Sequence, residues 1–510
     1  MQRRGVIVLL VAAGAAAVFA WNRSPGRAPA LPVASDTIAI RFELAAVNFD
    51  ARTVVDVESK KLQTLLHSGL VGVHQDGRVE PRLASSWKQV APDRVQFTLR
   101  NGVQFSDGTP ADAKAAVASL CEGLSPTIFW SFALDMIERK TSADGKSVEC
   151  TGITSPSADV VEIKTAGPTP AHFFEVLDSP AGWILKAGEK PGEFGRRAGI
   201  GPYTVSKVTA GQDIEFVART DGAAVVAPRV KRIVARFIQD PALAARSFST
   251  GSIDLLRLDN PQLYDALVEV GAGGARSVRG GELISHPFAR LRTLIVNEPA
   301  LTKRGLSPEQ IASVRDTLSS RIDRERIAQQ APGKAQPRWA SFPPMEEAMG
   351  ASFRSPAIAP PATPKIDLAL LVNNDPYSDL VASRLPKQIG NMTLTYRAVD
   401  FGAIIAAFQK GEGDLIGLSL DATVNSPSFY LSFWRPGSPL TLFGKGLPEV
   451  VGLDVGNTDD LRTAARVIQT KGNWIPLYAD EGLIAKKTSV DGLRLTRSGQ
   501  ESLETIGHKK

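Results

Sequence analysis

Cysteine is almost absent: two residues, Cys121 and Cys150, in a chain of 510. Neither sits in a C-x-x-C, so a zinc site built on thiolates has no starting point. Histidine is as sparse, with five residues at His67, His74, His172, His286 and His508. No two of them occupy i, i+4 positions on one helix face, so no preformed histidine-rich metal site and no metal ligands are expected. Aromatics are modest at 7%, which argues against rows of base-stacking platforms, and the formal charge is only +6, with no dense basic stripe. Nucleic acid is therefore not an expected partner.

The motifs of common catalysis are missing too. There is no phosphate-binding G-x-x-x-x-G-K-[ST], no G-x-S-x-G elbow and no H-E-x-x-H. S-x-x-K occurs once, from Ser85 to Lys88, without the partner motifs of serine acyl-transfer enzymes. Catalytic residues and cofactors are accordingly expected to be none. The Gly-rich stretch 271–281 contains G-x-G but no third glycine in register, so it reads as a loop leading toward a hinge and not as a dinucleotide fingerprint.

Long apolar runs are confined to the N-terminus. After Met-Gln-Arg-Arg, the segment Gly5–Ala20 is uninterrupted small or apolar residues, and Val18-Phe19-Ala20 fits a signal-peptidase site. As a helix it would span about 24 Å, short of a bilayer core of roughly 30 Å. Residues 1–20 are read as a signal peptide or an N-terminal anchor and 21–35 as a Pro-rich linker; either way the body of the protein is exported, in a periplasm, tethered if the anchor is retained. In an oxidising compartment Cys121 and Cys150 either pair or remain two buried thiols. Composition, at 43% hydrophobic and 22% charged, is that of a globular chain of several domains.

Local patterns then give an α/β organisation. Thr37–Phe42 alternates as a strand, and a helical stretch follows over 54–70. Apolar residues alternate on both sides of Asn101-Gly102, which predicts a hairpin from Val95 to Phe105. Thr109 is expected to cap a helix beginning at Pro110. One pattern occurs twice. Strand 230–237, a cap at Asp240, a helix, a stop at Gly251 and a strand from Ile253 form the first copy. Strand 392–399, Asp400, a helix, Gly411 and a strand over 414–418 form the second, with another candidate strand over 366–372. Each is a βαβ unit with parallel strands.

Several blocks resemble the family 5 extracellular solute-binding proteins, the peptide- and nickel-type receptors of ABC importers. They are Ser68-Gly-Leu-Val71, Asp76–Trp87, Phe97–Pro110, Gly199-Ile-Gly-Pro-Tyr203, Thr250-Gly-Ser-Ile-Asp-Leu255, Val314–Leu318 with Ile322-Asp-Arg324, Pro343-Pro344 and Ile475-Pro-Leu-Tyr478. The resemblance implies a two-lobed periplasmic-binding-protein clamshell. Lobe I covers 36–281 and 473–507, with 61–190 as an extra subdomain, and lobe II covers 288–470. It further implies a small solute, an oligopeptide in the first instance, held between the lobes by a monomer and passed to an ABC permease in the cytoplasmic membrane. The alternative is an exported sensor or chaperone that delivers a non-peptide ligand to a membrane partner.

By the same resemblance Asp421 stands where peptide-binding members place the carboxylate that meets the ligand ammonium. A buried ammonium needs an opposite charge or desolvation bars its entry; otherwise Asp421 caps the turn that follows. Phe429, Tyr430, Trp434 and Trp130 are the aromatics available to line the cleft. The chain departs from the dipeptide receptors, which carry an Arg soon after the equivalent of Asp375-Pro376; here none occurs before Arg384. It also lacks a His near Asp421, which nickel-type binding would require.

Overall fold

The computed structural model describes residues 36–43, 47–54, 56–143, 146–190, 197–258, 260–331, 335–340, 365–373, 382, 384–421, 427–438, 441, 444–453 and 458–509. The expected leader and linker, Pro343-Pro344 and Asp375-Pro376 lie outside them. The chain divides into two compact units, one of residues 1–258, 265–284 and 484–510, the other of 259–264 and 285–483. The return to the first unit thus comes at Ile484, later than the expected 473.

In the first unit, strand β1 (Thr37–Phe42) is followed by β2 (Ala84–Ala91), β3 (Arg94–Leu99), helix α1 (Ala113–Gly123), β4 (Ile153–Ser157) and β5 (Val160–Lys164). Then come β6 (Tyr203–Thr209), β7 (Asp213–Ala218), β8 (Arg232–Phe237), α2 (Pro241–Ser249) and β9 (Leu255–Arg257). β8 and β9 both lie parallel to β1 on its two sides. Ile38, Ile40, Phe42, Phe216, Ile233 and Leu255 form its core. A separate sheet, in the order β2-β3-β5-β4, belongs to the region expected as an extra subdomain.

The second unit contains β10 (Glu282–Val296), β11 (Ile366–Asn373), β12 (Met392–Val399), α3 (Phe401–Lys410), β13 (Leu415–Asp421) and β14 (Trp474–Lys486). β10 and β14 each begin in one unit and end in the other. Here β11 is flanked by β12 and β13, both parallel to it, and β10 pairs antiparallel with β13. Leu294, Val296, Leu368, Leu370, Met392 and Leu477 pack its core.

The two βαβ copies are built alike. Asp240 caps α2 by accepting the Leu243 amide, and Gly251, at φ 78°, ends the segment in the left-handed conformation that glycine adopts without penalty. Gly411, at φ 63°, does the same after α3. Asp400 stands at the N-cap of α3, but only its backbone carbonyl is used, by the amides of Ala403 and Ile404. Beyond each glycine, an aspartate at the mouth of the last strand grips the central strand. Asp254 accepts the Ala39 amide at 2.8 Å, and Asp414 accepts the Ala369 amide at 2.8 Å.

Four expectations need correction. The segment after Asn101-Gly102 does not fold back on β3, because β2 and β5 already occupy both edges of that strand. The turn itself is present, with Gly102 at φ 78°, and Gln104 instead bridges Pro110. Consequently α1 starts at Ala113, capped by Asp112, whose carboxylate accepts the Ala115 amide. Thr109 serves the preceding turn, donating its amide and hydroxyl to Asp107. The helix expected over 54–70 covers only Val57–Gln63, and the Gly-rich 271–281 loop is the tip and return of a hairpin pairing Val268–Val270 with Arg276–Val278.

The Gly199-Ile-Gly-Pro-Tyr203 motif also has a steric explanation. A Cβ on Gly201 would sit 2.5 Å from the Leu65 carbonyl oxygen, and one on Gly199 would sit 2.3 Å from that of Leu66. Only glycine lets these backbones approach closely enough for the Gly201 amide to donate to Leu66 at 2.9 Å.

Candidate functional site

In open α/β sheets ligands gather beyond the carboxyl ends of the parallel strands. In the second unit that edge is where β13 ends at Asp421 and where antiparallel β10 runs in. The register sets Arg292 opposite Ser419 and Arg290 opposite Asp421. Along β10, alternate residues share a face. Val296 and Leu294 on that face belong to the apolar core, and the same face turns cationic at Arg292 and Arg290 as it nears the edge.

Both arginines turn to one carboxylate on β14. Asp480 Oδ2 accepts from Arg292 Nε at 3.0 Å and lies 2.9 Å from its Nη2, while Arg290 Nη1 approaches the same oxygen at 3.9 Å. Arg292 Nη1 also donates to the Ser419 hydroxyl. Arg292 is buried, and the side chains of Arg290 and Asp480 are only 12% and 11% exposed. Charges this poorly hydrated interact strongly and are held in place by their partners. Nearer the start of β10, the Ser285 hydroxyl donates to Glu481, the residue after Asp480.

Of the residues expected at the site, Asp421 is the last of β13 and stands opposite Arg290 in the backbone register; its side chain lies outside the described residues. Phe429, Tyr430 and Trp434, expected on a ligand wall, are buried. Phe433 and Trp434 pack against Trp474 with ring centroids 4.9 and 4.6 Å away. Trp130 is buried in the other unit, where its indole donates to the Val54 carbonyl at 2.8 Å. Phe429, Tyr430 and Trp434, closely spaced on one short helix and the turn after it, find enough neighbours to be covered. Cys121 and Cys150 are joined in a disulfide, with Cα atoms 5.5 Å apart.

Arg290, Arg292, Ser419 and Asp480 were not legible as a site. A hint was present in the second half of β10, where Arg290 and Arg292 interrupt a largely apolar run from Pro287 to Val296. In the first unit the carboxyl end of β1 carries another pair that sequence reasoning missed: buried Arg41 donates to the Ile238 carbonyl at 2.9 Å and is ion-paired with Glu43.

A second buried charge network ties the first unit together. Arg494 Nη1 meets Asp178 at 2.7 Å and its Nη2 meets Glu504 at 2.9 Å; Arg82 also reaches Glu504 at 2.9 Å. Burial pushes the Glu504 carboxyl up, but Arg494 and Arg82 together outweigh it and hold the group at about 2. Asp178 is shifted the other way: burial dominates, Arg494 offsets only part of it, and the neighbouring Glu504 adds repulsion. The network fastens the C-terminal segment to the 71–82 hairpin and is structural.

Residues 78–365, more than half of the chain, match the family described as bacterial extracellular solute-binding proteins, family 5 Middle. Over 196 residues the chain is 30% identical to the nickel-binding periplasmic protein of Escherichia coli (strain K12), a stretch covering 38% of this chain and 36% of that protein. It is 23% identical over 406 residues to the periplasmic murein peptide-binding protein MppA of the same organism, covering 72% of each. The solved structure of the Escherichia coli murein tripeptide binding protein MppA superposes with a TM-score of 0.75 at 19% identity, covering 94% of this chain and all of that one. The oligopeptide-binding protein AppA of Bacillus subtilis, solved with a nonapeptide, gives 0.73 at 16% identity over 94% of this chain and all of that one. The architecture is thus that of the two-lobed periplasmic binding proteins.

Proposed function

Since the chain belongs to the bacterial extracellular solute-binding proteins of family 5, we propose that it is an exported, non-catalytic receptor that captures an oligopeptide and delivers it to an ABC permease. The observation that carries the reading is the position of Asp421, at the carboxyl end of a parallel strand and beside a buried charge cluster. A carboxylate there offers a ligand ammonium the counter-charge it needs on leaving water. The relatives named for murein peptide and oligopeptide binding support the ligand class. Export rests on the N-terminal segment and on the periplasmic relatives.

Native mass spectrometry of the protein purified from its own host tests the assignment, because receptors of this kind carry their ligand through purification when it binds tightly. One peptide per chain, released on denaturation, is the expected result. A retained ligand with no peptide bond would overturn the ligand class.

A further inference from the structure

Two strands that run from one unit into the other are neighbours in the sheet: β10 crosses between Ile284 and Ser285, and β14 crosses between Leu483 and Ile484. His286 is the second residue beyond one crossing, and Gly482 is the second before the other. The two meet. The buried His286 ring occupies the space where a side chain at 482 would stand: a Cβ there would lie 2.8 Å from Nδ1 and closer still to Cε1 and Nε2. Gly482 is also the only glycine in either strand. On the first-unit side of the crossing Lys486 is ion-paired with Glu282, and on the second-unit side Asp480 is ion-paired with Arg292. The strands are thus pinned to each other on both sides of the point where ring and glycine meet.

From this arrangement we infer that Gly482 is the residue at which β14 bends when the two units move against each other, and that the His286 ring seated against it holds the resting angle. A domain motion is absorbed by a few residues whose φ and ψ change, and these must lie where the chain passes between the units. Glycine accepts such a change at the least steric cost, because no Cβ limits its backbone. Inside a strand it also weakens the strand, so its presence there has a reason. A glycine needed only to admit a ring could stand at any point of the strand; this one stands at the crossing, between the pinned stretches. The ring is the other half of the device. It fills the notch left by the missing side chain, so a bend at Gly482 must break close-packed contacts with it, and such packing favours one arrangement over a continuous range. The inference rests on the two-lobed architecture and on no particular ligand.

Pulsed electron–electron double resonance on the ligand-free chain tests the inference, with spin labels at Ala210→Cys in the first unit and Arg466→Cys in the second, both exposed positions. Cys121 and Cys150 are bridged and take no label. His286→Ala empties the notch and should broaden the distribution of distances between the labels. Gly482→Ala drives the ring from its seat and should shift the mean distance. In the double variant His286→Ala/Gly482→Ala the new methyl meets no ring, so the mean should return toward the wild-type value. His286→Ala creates no clash, and its broadening decides the matter alone if Gly482→Ala fails to fold. A distribution identical in wild type and every variant would overturn the inference. So would a double variant shifted as far as Gly482→Ala by itself, since the ring would then have no part in setting the angle. Either result leaves the peptide reading standing, because no ligand enters the measurement.

Discussion

Asp254 and Ala39 hold each other twice. The Asp254 carboxylate accepts the Ala39 amide at 2.8 Å, and the Asp254 amide donates to the Ala39 carbonyl at 2.7 Å. In the other unit Asp414 and Ala369 repeat the clasp at 2.8 and 2.9 Å. The acid in each glycine-then-aspartate stretch therefore stitches the last strand of a βαβ unit to the central strand it has crossed. Removing it strands a buried amide, a loss of roughly 1–3 kcal/mol. Asp254→Ala should lower the urea midpoint accordingly. Asp254→Asn, which keeps an acceptor oxygen, should lower it less. Equal midpoints for both variants would mean that the clasp contributes nothing.

Glu504 makes stability depend on acid. Its folded-state value, about 2, lies below the ordinary 4.5 of an unfolded glutamate. The stabilisation is therefore complete above about 4.5 and lost as the pH falls toward 2. At neutral pH Glu504→Gln leaves Arg82 and Arg494 short of a partner, a change of about 3–5 kcal/mol for a buried pair. The difference in melting temperature between variant and wild type should be large at pH 7 and smaller at pH 3. A gap independent of pH would contradict the ion pairing.

The disulfide closes a loop with a sequence separation of 29. A loop of that size restricts the unfolded chain by about 3–4 kcal/mol in the chain-entropy account. Replacing both Cys121 and Cys150 by serine should lower the melting temperature, and added reductant should then have no further effect on the variant. A reductant-sensitive melting temperature in the double variant would show that the sensitivity lies elsewhere.

What could be read from the sequence was local. Both βαβ units, with their glycine stops, were legible because caps, stops and strand alternation act within a few residues. The hairpin at Asn101-Gly102 was misread because the turn is local but the pairing is not: β2 and β5 hold the edges that a hairpin partner would need. The same limit hid the charged groups. Arg82 and Glu504 are 422 residues apart, and Arg292 and Asp480 are 188 apart. No motif spacing reports such pairs. Asp421 was reachable only through the family resemblance, and Arg290 not at all, because a strand register had to be known first. Whether the aromatics of 429–434 face inward was open for another reason: composition cannot tell a ring that lines a surface from one buried against Trp474.

The most direct test of the account is a calorimetric comparison of Ala-Ala-Ala with its N-acetylated form, on wild type and on Asp421→Asn. Truncating one partner of a buried charge pair costs about 2–5 kcal/mol, or on the order of thirtyfold or more in affinity. Asp421→Asn should lose that much for the free-amine peptide and little for the acetylated one, which binds weakly to both. Equal losses for the two peptides, or none for either, would contradict the assignment of Asp421 as the group that receives the ligand's amino terminus.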